Sequence, residues 1–376
     1  MSAVRSEDAC WGEVVRLPGA DAVRPLPTAA LLDPVAVGAC LDEEIARRRV
    51  VLEDVDPGLG AVVDAVERLA ARGKRLRAGF VLLGAAGAAG GEAVPGALGI
   101  ATAVELFHLA ALVHDDVMDH ADERRGVPTV HRVFGARSAE HGTAVGVLAG
   151  DLLLTWADDV LARSTLGLPT AAAVRTVWEQ MRDQVLAGQY LDLRLQAEGG
   201  AGSVADPADV DAVVRMLQFK SAKYTVEHPL RLGGTLAGAG PDLLEGYATF
   251  GLAIGEAFQL RDDVLDVFGD PRATGKAEAG DLREGKRTLL VALALERASA
   301  AQRTVLARRL GDPGLDAAGV AEVRDVLVAT GARTRVEERI TALVDDARRA
   351  LADLRLDGRT RAALEALADG AAWRSR

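Results

Sequence analysis

Two stretches of the chain gather three aspartates at helical spacing: HDDVMD at 114–119 and RDDVLD at 261–266. Residues i and i+4 share one face of a helix, so Asp115 stacks on Asp119 and Asp262 on Asp266, with Asp116 and Asp263 one position round. On an isolated helix such pairs cost a few tenths of a kcal/mol each. Two triads facing each other across a bundle cavity at ~8 Å, with an effective dielectric of ~20, would repel by roughly 2 kcal/mol per pair. Summed over several pairs, that is a large fraction of a domain's stability. Divalent cations remove the penalty. Carboxylate oxygens with open positions suit Mg²⁺, which takes one or two carboxylates and fills its other positions with waters and substrate phosphates. Two further aspartate pairs serve as controls. Asp158-Asp159 is followed by Ala162 and Asp345-Asp346 by Arg349, so neither completes a triad, and both read as solvated surface.

Cations and N–H donors that suit a diphosphate occur in clusters around the triads. Gly73-Lys74-Arg75-Leu76-Arg77 lies at a turn opening into a helix, where N–H groups and the helix dipole favour anions. Arg124 and Arg125 follow the first triad, and an arginine fork matches phosphate oxygens. Lys220 is followed by Ser221 in QFKSAKY, and Lys276 and Lys286 follow the second triad. Taken singly, each is more often a solvated charge than a ligand. Their grouping beside two acidic triads reverses that expectation. One decoy is set aside: GDLREGKRT (280–288) nearly spells the phosphate loop of nucleotide-binding proteins. Arg287 stands at its Ser/Thr position, Asp281 and Glu284 add negative charge, and no strand is expected before it.

The elements that must hold these residues are helices. From about residue 36 onward the chain has helical periodicity and is rich in Ala, Leu, Arg and Glu, while aromatics make up only 4%. Breaks fall at turn chemistry, in ARGK (71–74), GGEAVPG (90–96), RRGVPT (124–129), EGGAGSVADP (198–207), GAGPD (238–242) and GDPRATGK (269–276). The pattern predicts an all-α protein: a single large bundle of ten or more helices, with residues 1–35 a poorly ordered extension and 36–376 one domain. A net charge of −11 argues against a nucleic-acid partner. Two cysteines, Cys10 and Cys40, without a CxxC pair argue against a disulfide framework and a cysteine zinc site, and fit the cytoplasm. Apolar runs at 78–91 and 93–104 are broken by Glu92 and Glu105, short of the roughly 20 residues a transmembrane helix needs. No signal peptide is expected at the start.

In combination these motifs resemble the trans-isoprenyl diphosphate synthases, the polyprenyl synthetase family, over about residues 40–350. GKRLRAG matches the family's G-K-x-x-R element, and ELFHLAALVHDDVMDHADERRGVPT its first aspartate-rich motif with a trailing arginine pair. GQYLDL (188–193), FKSAKY, GEAFQLRDDVLDVFGD and TGKAEAGDLREGKRTLL match further family segments. Arg72 stands where the family has the first glycine of G-G-K, and Ser221 where it has threonine. The resemblance implies an isoprenoid-synthase fold around a central cavity, a homodimer, and about three Mg²⁺ per site. It implies that Asp115, Asp119 and Asp262 hold an allylic diphosphate through metal, supported by Asp116, Asp263 and Asp266. Arg124, Lys220, Ser221 and Lys286 would contact that diphosphate, with Gln259 and Lys276 nearby. Isopentenyl diphosphate would sit on Lys74, Arg77, His108 and Arg125. Ionisation of the allylic C–O bond and attack by the isopentenyl double bond then extend the chain.

Product length should be set along the helix that leads to Asp115. Positions 107, 111, 115 and 119 form one stripe, with 110 beside it. Bulky residues four and five before the first aspartate stop growth early in the family, whereas this chain has Ala110 and Ala111 there. Phe107 lies about 12 Å deeper at 1.5 Å per residue and is the first floor. The expected product is geranylgeranyl diphosphate, with a longer chain or farnesyl diphosphate as the alternative. A terpene cyclase would carry an N-S-E type second metal motif in place of the second aspartate triad. A non-catalytic synthase subunit would lack one or both triads.

Overall fold

The computed structural model describes residues 34–198, 210–269 and 279–373, and these are almost entirely helical. The expected extension at residues 1–35 falls, but for Pro34 and Val35, outside the described residues. The chain divides into two compact units. The first runs to Thr176 and adds Pro229–Pro241 and Leu356–Thr360; the second comprises Val177–His228, Asp242–Arg355 and the segment from Arg361. No linker marks the divisions. One falls inside a continuous helix, between Thr176 and Val177, and another in the first turn of a helix, between Pro241 and Asp242.

In the first unit the helices are α1 (Pro34–Val55), α2 (Gly60–Ala70), α3 (Leu76–Ala88), α4 (Ala97–Met118), α5 (Val130–Phe134) and α6 (Ala139–Thr165). α4 is the core helix, packed against α1, α3 and α6. It corrects one expectation. α4 has 22 residues and is long and apolar enough to cross a membrane by length and composition, yet 72% of its most apolar window is buried inside the protein. Glu105 does not break it. The carboxylate is 3% exposed and is satisfied within the unit: it accepts from Arg75 Nη1 and from the Ala78 N–H, both at 3.3 Å. A buried charge with partners costs little compared with an orphan, so the helix continues through it.

Between α4 and α5 the sequence pattern had suggested only a turn, but a short antiparallel hairpin forms. β1 (Glu123–Arg124) pairs with β2 (Val127–Pro128), with Arg124 opposite Val127. Arg125 and Gly126 form the two-residue loop with φ of 55° and 73°. Positive φ at both central residues is the demand of the tight hairpin turn whose twist matches its strands, and Gly126 meets it at no steric cost.

α7 (Ala171–Glu198) begins in the first unit and continues into the second, followed by α8 (Val210–Leu217). Gln218–Glu227 is a π-helix that leads into α9 (His228–Leu236). α10 (Pro241–Phe268), α11 (Gly280–Glu284), α12 (Leu289–Arg297), α13 (Ala300–Arg309), α14 (Ala317–Ala329), α15 (Ala332–Asp353) and α16 (Gly358–Trp373) follow. Local chemistry fixes several starts. Ser299 and Gln302 form a reciprocal capping box on α13, and the Asp316 side chain accepts from Gly319 N–H at the start of α14. Of the control aspartates, exposed Asp345 and Asp346 behave as surface and pair with exposed Arg348 and Arg349, whereas Asp158 and Asp159 are half-buried and Asp159 is held by Arg47, Arg48 and Arg163.

Candidate active site

The first triad closes the C-terminal end of α4. Asp119 is the C-cap, its N–H donating to the Asp115 carbonyl. Three carboxylates at a helix C-terminus stand where the dipole already places partial negative charge, so the cluster calls for cations. The hairpin brings one. Arg124 Nε and Nη2 bond Asp116 Oδ1 at 2.6 and 2.5 Å, and Nη2 reaches Asp115 Oδ2 at 3.2 Å. Asp116 is buried at 1% exposure, whereas Asp115 and Asp119 are half-buried. Burial pushes the Asp116 carboxyl up to about 6; Arg124 pulls it back, and the charges of Asp115 and Asp119 add to the rise.

A cationic group lies in the same unit. Lys74 is exposed, and Arg75 is the N-cap of α3 in a left-handed conformation with φ of 52°. Arg75 donates to the Ala70 carbonyl and to Glu105, which fixes the turn. Arg77 Nη1 lies 3.2 Å from His108 Nε2. Burial, then the charges of Arg77, Arg125, Arg124 and Arg75, hold the His108 imidazole well below its ordinary pKa. His108 is therefore neutral, and since arginine can only donate, Nε2 accepts and Nδ1 carries the proton. Phe107 and Ala110 are fully buried and Ala111 half-buried on the same helix.

The second unit carries the second triad on α10, with a matching pattern. Asp263 is buried, while Asp262 and Asp266 are half-buried. Burial, followed by the charges of Asp281, Asp262 and Asp266, raises the Asp263 carboxyl well above the usual range; Gln259 Nε2, donating to Oδ1 at 2.9 Å, opposes this. Asp281 belongs to the cluster through its backbone as well, its N–H donating to Asp266 Oδ2 at 3.0 Å. Lys286 pairs with Glu284 at 2.5 Å and Asp281 at 3.6 Å. That acidic company is incompatible with a phosphate-loop reading of 280–288. Lys276 lies outside the described residues.

Lys220 and Ser221 sit, half-buried, in the π-helix. This segment is held at backbone contact by glycines of two neighbours. A Cβ on Gly188 of α7 would collide with Lys220 N, and one on Gly255 of α10 with the Ala222 carbonyl. Lys220 Nζ bonds Asp192 Oδ2 at 2.5 Å, and Asp192 is 3% exposed.

Three residues were not given roles from the sequence. Glu105 showed as a lone charge in an apolar run, a real signal read only as the end of that run. Asp192 lies inside GQYLDL at four residues from Gly188, and Asp281 lies inside the rejected phosphate loop.

The carboxylates fit a hard divalent cation in donor chemistry. In each triad the innermost aspartate is raised first by burial and then by neighbouring carboxylates, and such an ion would relieve that second contribution. Among the described residues no three carboxylate, histidine or cysteine side chains are already drawn together at metal-holding spacing. In the first triad Arg124 supplies the countercharge instead.

An all-α scaffold with two aspartate-rich helices, an arginine cluster beside His108 and a half-buried lysine on a buried aspartate fits the isoprenoid-synthase class. Residues 61–327 match the family model described as polyprenyl synthetase. The chain belongs to the polyprenyl synthetase family and is a trans-prenyl diphosphate synthase, a prenyltransferase. It is similar to a geranylgeranyl pyrophosphate synthase from Corynebacterium glutamicum solved with isoprenyl diphosphate and magnesium, at 35% identity and TM-score 0.85, covering 92% of this chain and 99% of that one. A geranylfarnesyl diphosphate synthase of Aeropyrum pernix is 34% identical over 74% of this chain and 82% of its own length. A nonaprenyl diphosphate synthase of Mycobacterium tuberculosis is 34% identical over 80% of this chain and 82% of its own length.

Proposed function

We propose that this enzyme condenses isopentenyl diphosphate with an allylic diphosphate to give geranylgeranyl diphosphate, the two units acting as one catalytic domain. The observation that carries the reading is the shared design of the two triads, each with an i, i+4 pair left partly open and a buried aspartate behind it. Asp115, Asp119, Asp262 and Asp266 would hold Mg²⁺, three ions per site, with Asp116 and Asp263 behind them. Bound magnesium would neutralise the allylic diphosphate and stabilise it as a leaving group. Arg124, Lys220, Ser221 and Lys286 would bind the same diphosphate, with Gln259 and Lys276 beside them, and Asp192 would orient Lys220. Lys74, Arg77 and Arg125 would bind isopentenyl diphosphate, and the neutral His108 would aim Arg77.

The allylic C–O bond breaks with its electron pair leaving on the diphosphate. The isopentenyl π electrons form the new C–C bond at the allylic carbon, and the proton lost from the adduct passes to the released diphosphate. The fully buried Phe107 supports a twenty-carbon limit, and the small side chains of Ala110 and Ala111 between it and Asp115 support growth beyond fifteen carbons. The names of the relatives span several product lengths, so the limit rests on these residues. Exposed Leu186, Tyr190 and Leu193 on α7, and Val147 and Leu148 on α6, support a homodimer.

Incubation with labelled isopentenyl diphosphate, farnesyl diphosphate and Mg²⁺ tests the reading. Elongation to twenty carbons is expected; cyclised hydrocarbon, or no product with any starter, would refute it. Ala110→Phe should shorten the product, and an unchanged product spectrum would remove Phe107 as the floor.

A further inference from the structure

The turn that carries Lys74 is tied to the tip of the hairpin by an exchange between two arginines. Arg72 Nη1 donates to the Arg125 carbonyl at 2.7 Å, and Arg125 Nη1 donates back to the Arg72 carbonyl. The backbone on both sides is shaped for this exchange. Arg125 takes φ of 55° at the hairpin tip, and Gly73 takes φ of 150°. A Cβ on Gly73 would stand 2.9 Å from Arg125 Nη1, which a flexible arginine could relieve, so it is the positive φ that calls for glycine between Arg72 and Lys74.

The partners of the cluster's arginines differ in charge. Arg124 bonds the Asp115 and Asp116 carboxylates, and Arg75 bonds the Glu105 carboxylate. Both are largely neutralised where they stand. Arg125, by contrast, donates to a neutral backbone carbonyl. Among the described residues Arg125 has no carboxylate at ion-pair distance, Glu105 acting on it only from further away. A guanidinium oriented by a neutral acceptor keeps its full charge for an incoming anion.

We propose that Arg72 is a positioning residue: its clasp with Arg125 locks the hairpin tip onto the Lys74 turn and presents the Arg125 guanidinium, uncancelled, to isopentenyl diphosphate. Glycine, which the family pattern has at this position, would keep the carbonyl that accepts from Arg125 but lose the bond from the residue-72 side chain to the Arg125 carbonyl, so that half of the clasp, which holds the hairpin tip, depends on Arg72. The proposal rests on the assignment of Lys74, Arg77 and Arg125 to isopentenyl diphosphate.

The test is steady-state kinetics on wild type, Arg72→Gly and Arg72→Lys, with thermal melts alongside. Arg72→Gly should raise KM for isopentenyl diphosphate by roughly 5-fold, the scale of one ordinary hydrogen bond, since the charged donor here is solvent-exposed. The allylic KM and kcat should stay within about 2-fold, because Arg72 touches neither the triads nor Lys220. Arg72→Lys, which keeps a cationic donor, should recover at least half of the loss on a logarithmic scale. An isopentenyl KM that is unchanged or lower in Arg72→Gly would overturn the clasp, as would parallel rises for both substrates. Wild type that fails to elongate any allylic starter would overturn the functional reading instead. Wild type that elongates beside an indifferent Arg72→Gly would overturn the clasp alone.

Discussion

Replacing Glu105 by glutamine tests whether a buried carboxylate holds the Lys74–Arg77 turn in place. Glutamine keeps the shape and an acceptor oxygen for the Ala78 N–H, but removes the charge and turns the oxygen that accepts from Arg75 into an N–H₂ donor. Arg75, whose side chain is 8% exposed, would lose its ion-pair partner and keep the Ala70 carbonyl. The gross attraction at 3.3 Å with an effective dielectric of ~20 is roughly 5 kcal/mol. Stripping one partner from a buried pair costs about 3–5 kcal/mol. The retained acceptor and the long contact place this change near 3 kcal/mol. For cooperative unfolding of 376 residues, ~3 kcal/mol lowers Tm by roughly 4 °C. Differential scanning calorimetry reads that shift. Kinetics should show KM for isopentenyl diphosphate rising more than the allylic KM, since Glu105 braces the α3 N-terminus and not the triads. A variant that melts within about 1 °C of wild type would mean that the Glu105 charge is not what orders the turn.

Asp192→Asn should raise the allylic KM by roughly 10-fold, from loss of a charge-assisted bond to Lys220, and leave the isopentenyl KM near its wild-type value; equal changes in both would argue against the pairing. Gly188→Ala should destabilise by about 1–3 kcal/mol, because its methyl meets the Lys220 backbone and not a yielding side chain; chemical denaturation reads the loss, and full stability would show that the segment yields. Burial alone would raise the Glu44 carboxyl, but hydrogen bonds from Arg47 and Arg48, with the charges of Arg48 and Arg163, hold it below its ordinary 4.5. A lowered folded pKa stabilises above the unfolded value and loses that contribution as pH falls through the folded one. The stability gap between wild type and Glu44→Gln should therefore be full above pH 4.5 and close in stronger acid; a gap that is constant with pH would refute the ion-pair account.

The triads were legible because their chemistry is local: i and i+4 spacing alone puts Asp115 over Asp119 and Asp262 over Asp266. The all-α character was legible for the same reason, in helical periodicity over long runs. What the sequence hid depends on partners remote in the chain. Glu105 looked like a break because its partners Arg75 and Ala78 lie 30 and 27 residues away. RRGVPT showed a turn, but two-residue strands are too short to show alternation, so the hairpin that aims Arg124 and Arg125 was missed. The π-helix had no local signature, since the glycines that receive it sit on α7 and α10. Asp192 was quoted within a motif and left without a role, because nothing nearby in sequence pairs with it.

The glycine-flanked π-helix leaves this chain intolerant of small length changes between 218 and 227. Each residue of an ordinary α-helix turns the chain by about 100°, and wide π turns hold more residues than α turns over the same rise. Deleting one residue upstream of Lys220 would rewind the segment toward α geometry, swinging the ammonium group about a quarter turn away from Asp192. A loop would absorb such a deletion quietly. Natural variation in this stretch should therefore run through substitution and leave its residue count untouched.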